Sequence, residues 1–145
     1  MGALMELSPA ARYAQSRSKS SHPKSAAFAT TINFDLDTFQ IAGCHALEDG
    51  HSVLVAAPTG AGKTIVGEFA AYLAMGTGTK CFYTTPIKAL SNQKYQDLCG
   101  MYGEENIGLL TGDTSFNSEA QIVVMTTEVL RNMIYANSST LKNLR

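Results

Sequence analysis

The stretch VLVAAPTGAGKTIVGEF, residues 53–69, changes character twice within a short span. It opens as a run of small apolar and β-branched residues, which reads as a buried strand over Ser52–Ala57. Pro58 ends that run, Gly60 and Gly62 follow, and after Lys63-Thr64 the chain turns apolar with helical residues. The two glycines let the backbone turn its N–H groups inward at the positive end of the following helix, which makes an anion-binding nest. Ala57-Pro58-Thr59-Gly60-Ala61-Gly62-Lys63-Thr64 departs from the usual G-x-x-x-x-G-K-[ST] phosphate loop by one methyl, Ala57 standing where glycine is usual. The physics survives that change. Lys63 is placed for β- and γ-phosphates and the Thr64 hydroxyl for Mg²⁺, so residues 58–64 form the candidate nucleotide cradle, with ATP and Mg²⁺ as the expected cofactors. A strand-to-helix turn that merely contains Gly and Lys is the structural alternative.

Working outward, helix and strand patterns alternate. Asp37 and Gln40 have capping-box spacing ahead of an apolar stripe that ends at Gly50. After the loop, Lys63–Met75 reads as a helix that packs on a sheet, Lys80–Thr85 as a strand, and Pro86 to about Tyr102 as a helix. Ile107–Leu110 and Gln121–Met125 read as strands, Thr127–Ala136 as a further helix, and the final NSSTLKNLR as no closing element. Such alternation implies an α/β layered domain with a mainly parallel sheet.

Residues 1–30 are rich in Ser and Ala and carry Arg12, Arg17, Lys19 and Lys24 against Glu6. With little apolar surface to offset the entropy of ordering, this segment is expected to be a flexible basic lead. A short helix is expected where Ser8 precedes Pro9. Residues 31–145 then form the folded part.

Composition narrows the function. A net charge of −1 with 16% charged residues excludes a globally basic nucleic-acid binder, though a local patch can still hold phosphates. No apolar run approaches the ~20 residues that span a bilayer, and the N-terminus lacks a signal-peptide core, so neither membrane nor secretion is expected. Cys44, Cys81 and Cys99 form no C-x-x-C pair, and His22, His45 and His51 complete no metal pattern. They read as free thiols in a reducing cytoplasm.

Four further elements resemble the superkiller-type DExH helicases, superfamily-two enzymes, and their bacterial branch in particular. Phe34-Asp35-Leu36-Asp37-Thr38-Phe39-Gln40 is similar to the F-x-L-D-x-F-Q element that precedes the family's phosphate loop. Tyr83–Tyr95, YTTPIKALSNQKY, resembles motif Ia; Thr111-Gly112-Asp113 matches the next turn; and Thr126–Arg131, TTEVLR, resembles motif Ib. The resemblance implies the N-terminal portion of a recombinase-like, three-layer phosphate-loop domain, incomplete at its C-terminal end. It implies that Gln40 reads adenine and Phe34 stacks on it; read from the residues alone, Gln40 is also a helix-capping partner. It further implies contacts to single-stranded RNA or DNA phosphates by Pro86, Lys88, Ser91, Asn92, Thr111, Gly112, Thr126, Thr127 and Arg131. A solvated polar face is the plain alternative for the first helix, and an N-cap by Thr126 or Thr127 for the second.

The Asp-Glu-x-His element that would hold Mg²⁺ and position water in that family is missing from these residues, as are the later domains that supply arginine fingers. Negligible ATP turnover by this chain alone is therefore expected. Without the later strands, Val53–Ala57 is expected to expose unpaired backbone. The rival readings are a stand-alone nucleotide or nucleic-acid binding module, a functionless gene fragment, and a small phosphate-loop kinase. The last needs acceptor-binding arginines, whereas Arg131 is the only arginine between residues 18 and 144.

Overall fold

The computed structural model describes residues 8–10, 12–13, 21–58, 62–142 and 144. Thr59, Gly60 and Ala61, the middle of the glycine loop, lie outside them. The described chain divides into two compact units, one running to Phe69 and the other starting at Ala70.

In the first unit residues 9–10 and 12–13 are helical, as expected after Ser8. Helix α1 (Pro23–Ala29) starts with proline in its first turn. It stands where the sequence suggested a flexible lead up to residue 30. One aromatic side chain accounts for the difference. Phe28 is 2% exposed, and its ring centre lies 5.2 Å from that of Phe69. The Glu48 carboxylate accepts from the Lys24 and Ser25 backbone N–H groups at 3.0 and 2.8 Å, satisfying donors the first helical turn leaves open.

Helix α2 (Thr38–Glu48) has Asp37 as its N-cap, and the Gln40 side-chain oxygen accepts from the Asp37 N–H at 2.8 Å. The helix buries Gln40, Gly43 and Cys44. At Gly43 a Cβ would lie 2.9 Å from a Val66 methyl, so only glycine permits this approach to helix α3 (Thr64–Thr77).

The expected strand Ser52–Ala57 does not form. Residues 51–58 carry no strand hydrogen bonding among the described residues, although exposure alternates along them and Leu54 is 93% exposed. The segment has a strand's composition and periodicity. What it lacks is a ladder partner, and without one an extended chain is not a sheet member.

The second unit contains β1 (Cys81–Thr85), α4 (Lys88–Tyr102), β2 (Ile107–Leu110), β3 (Ser115–Phe116), β4 (Ile122–Thr126) and α5 (Thr127–Tyr135). Except for the two-residue β3, which the sequence reading did not include, the boundaries fall within two residues of those read from sequence. The strand order is β1-β4-β2-β3; β1, β4 and β2 are parallel, and β3 is antiparallel to β2. Central β4 is a continuous apolar run, as a strand covered on both faces must be. Ile122 and Val124 join Ala71, Leu98, Ile107 and Leu109 on one face. Val123 and Met125 pack with Val129, Leu130 and Met133 of α5 on the other. Each fully buried aliphatic side chain stabilises by about 1.5–3 kcal/mol, so this strand anchors a helix–sheet–helix sandwich. Among the described residues no helix is long and apolar enough to cross a membrane.

Candidate functional site

The residues expected to hold nucleotide lie in the first unit. Gly62 has φ +80°, and its carbonyl accepts the Ile65 N–H at 3.3 Å as α3 begins. Lys63 and Thr64, the two expected phosphate and Mg²⁺ residues, are exposed at this helix start, as is Pro58 before the loop. Helix N-termini carry open N–H groups and about half a positive charge, so the residues present fit a polyphosphate.

Gln40 supports this turn. Its amide nitrogen donates to the Gly62 carbonyl at 3.0 Å, while its oxygen takes the Asp37 N–H. At 3% exposure the side chain is committed to joining the α2 N-terminus to the loop. This is the capping role read from spacing, with a loop contact added. Towards the described residues the amide uses one of its two N–H donors and one acceptor position. Phe34, expected to stack on adenine, is 56% exposed. Among the described residues no group of three or more His, Cys, Asp or Glu side chains could hold a metal ion.

The residues expected to meet nucleic-acid phosphates lie in the second unit. Thr85 ends β1 and pairs in register with Thr126 at the end of β4, and Leu110 ends β2 opposite Met125. Pro86, Lys88, Thr111, Gly112, Thr126 and Thr127 therefore lie at or just after the carboxyl ends of three parallel strands, where open α/β sheets place their ligands. The Thr127 hydroxyl donates to the Thr85 carbonyl at 3.2 Å, tying the motif Ib helix to the motif Ia strand. Thr126 is the N-cap of α5, but its side chain makes no capping bond. Arg131 lies one turn further along and is exposed.

Ser91 departs from expectation. It is fully buried, with its hydroxyl 2.5 Å from that of Thr85, and it is removed from the phosphate-contact set. Lys88 and Asn92 are exposed. At about 100° per residue, Asn92 comes round close to Lys88, whereas Ser91 falls roughly 60° short on the inner side. Thr111 is nearly buried too; its hydroxyl donates to the Asp113 carboxylate at 3.0 Å and its N–H to the Thr114 carbonyl at 2.9 Å.

Sequence reasoning missed two participants. Thr85 is a hub whose hydroxyl donates to the Ile87 carbonyl at 3.0 Å and meets Ser91; two adjacent threonines before a proline were the available signal. Asp113 forms an ion pair with Lys88, a pairing no sequence spacing announces. The Lys88 ammonium, and after it the Thr111 hydroxyl, holds the Asp113 carboxyl below the usual carboxylate range.

A glycine turn and lysine at a helix start, with motif threonines at the carboxyl ends of a mostly parallel sheet, define a phosphate-loop α/β protein. Its family is the DEAD/DEAH box helicases, to which this chain belongs: the match runs over residues 37–145. The chain is 64% identical over 117 residues to the probable helicase HelY of Mycobacterium tuberculosis, covering 81% of this chain and 13% of that protein. It is 52% identical over 103 residues to the chloroplastic DExH-box ATP-dependent RNA helicase DExH15 of Arabidopsis thaliana, covering 71% of this chain and 9% of that one. Identity to the antiviral helicase SKI2 of Saccharomyces cerevisiae is 49% over 111 residues, 77% of this chain and 9% of that protein.

Proposed function

We propose that these residues hold ATP and a single strand of RNA or DNA within an ATP-dependent helicase, in which the longer protein couples hydrolysis to strand unwinding. One observation carries this reading most: in a chain of this family, three separate motifs meet at the carboxyl ends of β1, β4 and β2. Lys63 and the open N–H groups of α3 hold the phosphates, the Thr64 hydroxyl holds Mg²⁺, and Phe34 offers its ring to the base. Mg²⁺, when bound, neutralises charge on the phosphates. Lys88, Asn92, Thr127 and Arg131 are the exposed polar groups available to backbone phosphates along the strand ends.

The 145 residues contain no Asp-Glu-x-His element, so the chain by itself binds ATP without turning it over. The remaining helicase parts, including the second recombinase-like domain, are its functional partners. A reducing cytoplasm suits its three free cysteines, of which buried Cys44 and half-buried Cys81 have thiols pushed up to about 11, chiefly by desolvation.

Calorimetry with Mg²⁺-ATP tests the reading. The parent chain binds, Lys63→Ala does not, and phosphate release stays at background. Absence of binding by the parent overturns the cradle, and Mg²⁺-dependent hydrolysis abolished by Lys63→Ala overturns the claim of a turnover-deficient chain.

A further inference from the structure

Resting on the strand-holding reading, we propose that Asp113 is an internal stand-in for phosphate, occupying Lys88 until a nucleic-acid phosphate displaces it. Lys88 is the first residue of α4, and its ammonium reaches Asp113 on the turn after β2. The carboxylate is aimed rather than loose. One oxygen accepts the Thr111 hydroxyl at 3.0 Å, and the other faces Lys88. Thr111 is itself 8% exposed, with its N–H bonded to the Thr114 carbonyl, so the turn holds the carboxylate in place.

Carboxylate and phosphodiester oxygens are both anionic acceptors for an ammonium, so one can replace the other while Lys88 stays paired. The side chains are 50% and 64% exposed, and exposed ion pairs are weak, which makes the exchange easy. It also has a consequence. The pair has no net charge, so a strand entering here gains little from Lys88, since it must part the lysine from Asp113 and then lie beside a carboxylate. Asp113 thereby keeps the grip on the strand light and salt-tolerant. It acts through Lys88 and is a positioning residue.

The test is a double-mutant cycle on the 145-residue chain, read by fluorescence anisotropy with labelled 20-mers of oligouridylate and oligodeoxythymidylate over a series of KCl concentrations. Asp113→Asn keeps an oxygen for Thr111 and removes the charge. It is expected to bind about two- to fivefold tighter at low salt. Its log–log salt dependence steepens by up to about 0.7, the increment for one further phosphate contact on a single strand. Lys88→Gln is expected to cost less than twofold in the parent and severalfold in the Asp113→Asn background. Asp113→Ser, checked by melting temperature beside Asp113→Asn, must show the same gain. Unchanged or weaker binding by the Asp113 variants overturns the proposal, as does an equal Lys88→Gln loss in both backgrounds. A gain seen with oligouridylate alone overturns it too, because phosphate exchange ignores the 2′-hydroxyl. No binding by any variant at low salt overturns the strand-holding reading and this inference with it.

Discussion

Replacing Gly62 with alanine separates two costs that meet at this residue. The backbone there has φ +80°, a left-handed conformation that costs an L-residue about 1–2 kcal/mol. In addition, the new Cβ would lie 2.5 Å from the Gln40 amide nitrogen. Ordinary van der Waals contact begins near 3.4 Å, so that amide must retreat by most of an ångström. Retreat breaks its bond to the Gly62 carbonyl and leaves a donor with 3% exposure short of a partner, at about 1–3 kcal/mol. Gly50→Ala is the control, because Gly50 has φ +86° but nothing within 4 Å of its Cβ position. Gly62→Ala is therefore expected to destabilise the first unit by about 1–3 kcal/mol more than Gly50→Ala. The chain has no tryptophan, so urea unfolding is followed by circular dichroism at 222 nm, and the extra shift is of order 1 M. In a Gln40→Ala background the obstacle is gone, and the Gly62→Ala penalty falls to the backbone part alone. A Gly62→Ala cost no larger than that of Gly50→Ala, or one unchanged by Gln40→Ala, refutes the reasoning.

Two further outcomes follow from the first unit. Phe28→Ala removes the buried ring that faces Phe69 and is expected to cost about 3–5 kcal/mol by the same urea assay; a loss below 1 kcal/mol would return residues 23–29 to the status of a loose lead. Stability is also expected to fall as pH drops below about 6.5. Burial first, and then the His22 ring stacked 4.0 Å away, lowers the His45 pKa from its ordinary 6.5, while Glu48 and Asp49 act the other way. The unfolded chain then binds the proton more readily than the folded one, so acid favours unfolding until the folded pKa is passed. His45→Gln should flatten urea midpoints measured between pH 7.5 and 5, and an unaltered slope would remove His45 as the cause.

What the sequence disclosed was local. Asp37 and Gln40, Gly50, Pro86 and the apolar run at 122–125 each act on their own neighbours, and the elements they delimit lie where those signals place them. What it concealed depends on pairing. β4 sits between β1 and β2 although it follows both in sequence, because order in a sheet is set by which edges meet. Residues 52–57 carry a strong strand signal and join no strand among those described; periodicity alone reports which face a side chain prefers, and the expectation of unpaired backbone there rests on the missing later strands. Phe28 was hidden because one phenylalanine among serines and alanines makes no stripe, and its partner lies 41 positions further along the chain.

The same distinction explains the functional residues. The loop glycines, Lys63 and Thr64 could be proposed from spacing, because the phosphate-loop pattern is local in sequence. The strand-end residues required knowing which helical face looks inward, and a reading by shared face treats i+3 and i+4 as equivalent. At Ser91 they are not, because Thr85 stands ready on the inner side. Asp113 lies 25 positions from Lys88, and only the β2–β4–β1 arrangement brings the turn after β2 near the helix after β1. A lysine in a phosphate-binding motif thus reads from sequence as a free cation, whereas the fold supplies it with an anion of its own. On the proposal that Asp113 occupies Lys88, an affinity inferred from the motif alone counts that charge in full and overstates the grip on a strand.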